Sequence, residues 1–254
     1  MARLELEGVT RSFGGVLAVK DFSMAVEPGR VTGLIGPNGA GKTTVINLIA
    51  GLLKLTRGNI RFDGRAIGEL SPHEVAQLGI ARTFQNIRLL KEASVLNNIV
   101  VGCRREENIP FLAQAVGLPV MRRARADSTA RARSLLAEFS MVEYADLFAG
   151  ELSYGHQRRV EIMRALALDP AVLLLDEPVA GMNDSEAHDL AVAFRRFADN
   201  GLAVLLIEHN MRLVMSLCDY VYVLATGELI AEGPPAGIRN DPRVIDAYLG
   251  AEIC

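Results

Sequence analysis

Residues 36–44 read GPNGAGKTT. Gly36, Gly41, Lys42 and Thr43 fall on the fixed positions of the phosphate-binding pattern in which a glycine-rich loop joins a strand to a helix. Glycines allow backbone conformations that a Cβ forbids and let N–H groups approach phosphate oxygens. The helix that follows adds unpaired donors and the positive end of its dipole. In this pattern Lys42 reaches the β- and γ-phosphates and the Thr43 hydroxyl is a ligand for Mg²⁺. Asn38, Gly39 and Thr44 complete the loop and are further candidates for nucleotide contact. A second group of chemical residues lies far along the chain, where Asp176 and Glu177 follow the apolar run at 173–175. Ligands of α/β sheets gather at the carboxyl ends of strands. There Asp176 would hold Mg²⁺ through water, and Glu177 could polarise a water attacking the γ-phosphate. A third group, Leu152 to Gln157, opens a helix, so that Ser153 and the Gly155 N–H form a ready anion site.

The elements that must position these groups can be read from periodicity. The apolar run 31–35 is a buried strand leading into the loop, and 45–50 is the helix leading out of it, stopped by Gly51. Alternation at 4–9, with β patterns at 16–19 and 22–26, predicts an N-terminal β region. Phe13 lies in a short glycine-containing stretch, where it is either core or a ring that stacks on a nucleobase. Residues 58–64 read as a strand ending in a turn. Ser71, Pro72 and Glu74 have the form of a helix N-terminus. Residues 80–84 predict another strand, followed by Gln85.

From about 86 to 168 alternation gives way to Ala, Arg, Leu and Glu, as in helices. Residues 94–101 and 130–139 are helical patterns. The arginines at 104–133 read as a solvated face or a basic contact surface. The β pattern returns at 171–175 and 202–207 with a helix at 185–197 between them, which implies a parallel right-handed crossover. Residues 221–224 and 229–231 resemble a hairpin around Thr226 and Gly227, and 242–249 is a terminal helix.

Half of the 254 residues are hydrophobic, enough for one large domain. The net charge of −3 counts against broad nucleic-acid binding. Cys103, Cys218 and Cys254 are scattered, with neither disulfide nor metal spacing, which fits a reducing compartment. No apolar run reaches the ~18–20 residues of a membrane span, and the N-terminus is not a signal peptide. The mean hydropathy of +0.22 fits a large core or substantial interfaces.

Taken together, the loop at 36–44, Gln85 after a strand, the stretch 152–157, Asp176 with Glu177, and His209 after a strand resemble the nucleotide-binding subunits of ABC transporters, in order and approximate spacing. The resemblance spans essentially the whole chain. It implies an α/β fold: a P-loop NTPase core of mostly parallel sheet with flanking helices, an N-terminal antiparallel β subdomain and an inserted α-helical subdomain. Residues 1–254 are then one ATPase domain, with the helical subdomain at about 86–168 and a helical tail at about 234–254. It implies that Gln85 senses the Mg²⁺/γ-phosphate site and couples it to a membrane partner, that His209 is a γ-phosphate switch, and that Phe13 stacks on adenine. Ser153 and Gly155 would contact the ATP held by a second protomer, because one chain carries half of each of two sites.

Two departures from the common family pattern stand out. Tyr154 and His156 occupy the third and fifth positions of the signature, usually glycine and glutamine. Asn183 stands where an aspartate is usual. These departures, with the stretch 82–88 and the tail at 233–250, resemble the ATPases of high-affinity branched-chain amino acid importers. The expected function is therefore ATP hydrolysis powering uptake of branched-chain amino acids. The expected location is the cytoplasmic face of the inner membrane. Implied partners are a second cassette (a heterodimer being favoured), two transmembrane permease subunits and, without direct contact, a periplasmic or extracellular solute-binding protein. Importers of urea, short amides or other amino acids share much of the pattern. Soluble ABC ATPases acting on ribosomes or DNA usually fuse two cassettes or carry a coiled-coil insertion, and exporters usually fuse the cassette to a membrane domain. Neither arrangement is expected here.

Overall fold

A computed structural model describes residues 4–83, 87–103 and 119–249. Its organising element is a six-stranded sheet in the order β10-β9-β3-β8-β7-β6. β3 (Val31–Ile35), β6 (Ile80–Arg82), β7 (Val172–Asp176), β8 (Ala203–Ile207) and β9 (Tyr220–Ala225) run parallel. β10 (Glu228–Gly233) closes the edge as an antiparallel hairpin with β9. The inner strands read as unbroken apolar runs because both faces of this sheet are buried. Alternate residues serve different cores. Leu173, Leu175, Val204 and Leu206 point into one, and Val172, Leu174, Ala203 and Leu205 into the other.

The second core is closed by a four-stranded antiparallel sheet, β2-β1-β4-β5. Its members are β1 (Leu4–Phe13), β2 (Val16–Val26), β4 (Arg57–Phe62) and β5 (Arg65–Ala66). The two β patterns expected at 16–19 and 22–26 are one strand. Its pairing with β1 shifts register between Val9 and Arg11, and Asp21 adopts a left-handed φ of 46°. Helix α1 (Lys42–Ile49) lies between the two sheets, with Val45, Ile46, Leu48 and Ile49 buried against Leu4, Leu6, Val19 and Phe22. The short helix α2 (Pro72–Gln77) begins at a complete capping box of Ser71 and Glu74.

The first core is covered by helices. α3 (Val95–Gly102), α4 (Pro119–Glu138) and α5 (Tyr154–Leu166) contribute Ile99, Leu135, Leu136, Ile162 and Met163. α6 (Asp184–Asp199) supplies Leu190 and Phe194 and forms the crossover between the parallel neighbours β7 and β8. α7 (Met211–Leu217) and two short helices, α8 (Pro235–Ile238) and α9 (Pro242–Leu249), complete the fold. Helices α3 to α5 thus share one continuous core with the sheet. The strand expected at 80–84 ends at Arg82. Phe84 and Gln85, residues 104–118 of the arginine-rich stretch and Cys254 lie outside the described residues.

Candidate functional site

The loop at 36–44 leaves β3 at the carboxyl edge of the parallel sheet and enters α1. Its glycines are set by backbone proximity. Gly36 has φ 149°, and a Cβ there would overlap the Leu224 carbonyl oxygen of β9. Gly41 has φ 105°, and a Cβ there would overlap the Ala18 carbonyl oxygen of β2. The loop is wedged between both sheets, so its N–H groups are fixed by the cores beneath it. Asn38 and Gly39 are exposed at its tip. Thr43 is exposed and Thr44 half-buried in the first turn of α1.

Lys42 is buried and its Nζ donates to the carbonyls of Gly36 at 2.7 Å and Pro37 at 2.9 Å. Burial pushes its pKa below the ordinary lysine value, while the charges of Glu177 and Asp176 act in the opposite direction. The ammonium is therefore poised between loop carbonyls and two carboxylates. Asp176 is the last residue of β7 and is 4% exposed. Burial raises its pKa, and the nearby Arg82 guanidinium offsets part of the shift. Arg82 Nη2 lies 3.2 Å from Asp176 Oδ2, while its Nη1 donates to Asn47 Oδ1 at 2.5 Å. Arg82 thus ties β6, α1 and β7 together at the sheet edge.

Glu177 has a left-handed φ of 48°, a conformation that costs a non-glycine residue on the order of 1–3 kcal/mol. Its N–H donates to the Ile207 carbonyl at 2.9 Å. Its carboxylate oxygen Oε1 stands 3.6 Å from Nδ1 of His209, which is exposed two residues beyond β8. Between them, Glu208 is 1% exposed. Its carboxylate accepts from the N–H groups of Val179 (3.3 Å), His209 (3.2 Å) and Asn210 (3.5 Å). Burial raises the Glu208 pKa against these three donors.

Two predicted groups lie further out. Phe13, at the end of β1, is 42% exposed, and the Arg11 guanidinium sits 4.5 Å from its ring centroid. Ser153 is the N-cap of α5: its Oγ accepts from the His156 N–H at 3.4 Å and lies 3.1 Å from His156 Nδ1. The His156 ring in turn rests on Tyr144, with centroids 4.6 Å apart. Gly155 is buried in the first turn. Asn183, the uncharged departure, is the N-cap of α6 and forms a capping box with Glu186.

A phosphate loop at a sheet edge, two carboxylates on the adjoining strand end and a histidine beside them match a known architecture. A family model described as ABC transporter covers residues 19–180. The chain belongs to the ABC transporter family. A second model, of the branched-chain amino acid ATP-binding cassette transporter, covers residues 228–253 of this cassette. Among curated relatives, the high-affinity branched-chain amino acid transport ATP-binding protein BraF of Pseudomonas aeruginosa is 44% identical over 97% of each chain. The corresponding LivG of Escherichia coli strain K12 is 39% identical over the same shares. Two solved ATP-binding cassettes of ABC transporters, one nucleotide-free and one in the ADP conformation, each superpose with TM-score 0.85 at 34% identity. They cover 98% of this chain and 99% of theirs. The fold expected from the sequence is therefore the observed one.

The residues of the cassette that sequence reasoning left without a role in the site are Arg82, Glu208, Asn47 and Arg158. Two of them carried a signal: Arg82 interrupts the apolar stretch at 80–84, and Glu208 follows five apolar residues of β8. A charge inside an apolar strand is expensive unless paired, and here each is paired. Lys42→Ala removes the ammonium that the loop holds over its carbonyls. The lost charge-assisted bonds, about 1.5–3 kcal/mol each, predict at least roughly tenfold weaker ATP binding by calorimetry. An unchanged affinity would remove residues 36–44 as the nucleotide site.

Proposed function

We propose that this cassette is the ATP-hydrolysing subunit of an importer for branched-chain amino acids, acting at the cytoplasmic face of the membrane. The observation that carries the reading is the convergence of Lys42, Asp176, Glu177 and His209 at the carboxyl edge of one sheet. The ABC family match and the similarity of residues 228–253 to the branched-chain amino acid cassette model support it. No helix among the described residues is long and apolar enough to cross a membrane, and in this reading two permease subunits supply the membrane path.

In this reading the N–H groups of 36–44 and the Lys42 ammonium bind the β- and γ-phosphates. The adenine stacks on the ring of Phe13, whose other neighbour is Arg11. Glu177 orients and deprotonates the attacking water, and His209, 3.6 Å from it, contacts the γ-phosphate and holds Glu177 in line. The donor set fits Mg²⁺. Among the described residues no cluster of three or more His, Cys, Asp or Glu side chains forms a protein cage. The Thr43 hydroxyl would be a ligand and Asp176 would hold the ion through water, hard oxygen donors of the kind that Mg²⁺ combines with phosphates. Bound there, the ion would neutralise charge on the phosphate oxygens, and Gln85 would be a further ligand. Asp176, buried and raised in pKa, is then an acceptor already desolvated for a cation.

Ser153 and Gly155 face a second protomer's ATP in this reading, so two cassettes meet head to tail. A sister cassette is favoured over a second copy, with two permease subunits and an external solute-binding protein completing the system. Residues 86–168 serve as the helical subdomain that passes motion to the permeases, and 234–254 as the tail. The solute does not touch the cassette.

Glu177→Gln keeps the shape of the site and removes the base. Hydrolysis should fall by about 10²–10⁴-fold while ATP affinity is retained, measured by phosphate release and by nucleotide titration. Normal turnover in that variant would exclude Glu177 as the base. Deletion of the gene should lower uptake of radiolabelled leucine, isoleucine or valine. Undiminished uptake of all three, in a strain with no redundant system, would reject this solute class.

A further inference from the structure

Among the described residues Arg158 is the largest fully buried side chain, 0% exposed on the second turn of α5. Its Nη1 pairs with Glu161 Oε2 at 2.7 Å, one helical turn along and itself 2% exposed. Its Nη2 leaves the helix and donates to the main-chain carbonyls of Asp176 at 2.8 Å and Glu177 at 3.0 Å. Asp176 ends β7 and Glu177 follows it, and both carry the site's carboxylates. Glu177 is also the residue held at φ 48°. Its backbone is therefore gripped at both ends, by Ile207 at the N–H and by Arg158 at the carbonyl.

Energetics argue that this arrangement serves geometry. A buried ion pair is commonly no more stabilising than well-packed apolar residues of similar volume. A guanidinium, however, has a rigid fork that can engage a carboxylate on one side and two carbonyls on the other. A left-handed glutamate persists only where its surroundings over-determine it. Five residues separate Arg158 from Ser153, about 7.5 Å along one helix. The turn that bears Ser153 and Gly155 and the grip on Glu177 are thus parts of one rigid body.

We propose that Arg158 is a positioning residue for Glu177: it fixes the backbone that aims this carboxylate and couples it to the signature end of α5. It follows that a nucleotide docking on Ser153 and Gly155 of one cassette sets the hydrolytic geometry of that cassette's own Glu177. The inference rests on the proposed roles of Glu177 and of the signature turn.

Arg158 removed alone would take a charged partner from the buried Glu161 carboxylate, so the test replaces both. Arg158→Met/Glu161→Met is compared with wild type, Glu161→Gln and Glu177→Gln, as the complex co-purified from native membranes through a tagged chain. A misplacement near 1 Å can cost about 10²-fold in rate. The double variant should accordingly lose roughly 10–100-fold in kcat, with KM and ATP affinity within about threefold of wild type. Glu161→Gln keeps an acceptor for Nη1 and leaves the carbonyl contacts in place, so it should retain kcat within about threefold. Thermal melting of the double variant should match wild type to within a few degrees. The inference is overturned if the double variant hydrolyses ATP at the wild-type rate while Glu177→Gln does not. It is equally overturned if the loss falls on KM and affinity, or if Glu161→Gln loses as much as the double variant. Normal hydrolysis by Glu177→Gln would instead bring down the proposed base, and is read separately.

Discussion

Five parallel strands buried on both faces leave one edge at which their chemistry can meet water: the carboxyl ends. Side chains along β3, β7 and β8 are committed alternately to two cores, so polar function is confined to the residues just beyond each strand. The glycine-rich loop follows β3, Asp176 ends β7 with Glu177 just beyond it, and His209 follows β8. Since β3, β8 and β7 are neighbours, three distant stretches of sequence are brought side by side with no loop longer than a few residues between strand and site.

That confinement also explains the buried charges. Lys42, Arg82, Arg158, Asp176 and Glu208 all lie near this edge, where burial shifts the pKa of Lys42 and Arg82 down and of Asp176 and Glu208 up. Each answers another group: loop carbonyls for Lys42, Asp176 for Arg82, main-chain N–H groups for Glu208, and Glu161 with two carbonyls for Arg158. Low local polarity strengthens such contacts and makes unmatched ones costly. The site is therefore preorganised through its supports, with Glu177 and His209 left partly exposed.

Much of this was legible from residue order. The phosphate loop, the carboxylate pair, the capped helices at Ser71, Ser94 and Ser153, and the hairpin at Gly227 are local signals, and each stands where periodicity placed it. The long-range pairings were not legible. Nothing near Arg158 announces that its partners are carbonyls 18 and 19 residues ahead, or that Arg82 closes on Asp176 across 94 positions. Register irregularity likewise hid the continuity of β2. Asn183 stands where an aspartate is usual. The structure gives it a different job, since an N-cap needs an acceptor oxygen and not a charge.

In the proposed function this cassette holds half of each of two ATP sites. A cryo-electron microscopy structure of the Glu177→Gln complex with ATP tests it most directly. The nucleotide's phosphates should be wrapped by residues 36–44 of one cassette and contacted by the signature serine of another. A nucleotide enclosed by a single cassette, with Ser153 and Gly155 facing solvent, would contradict it.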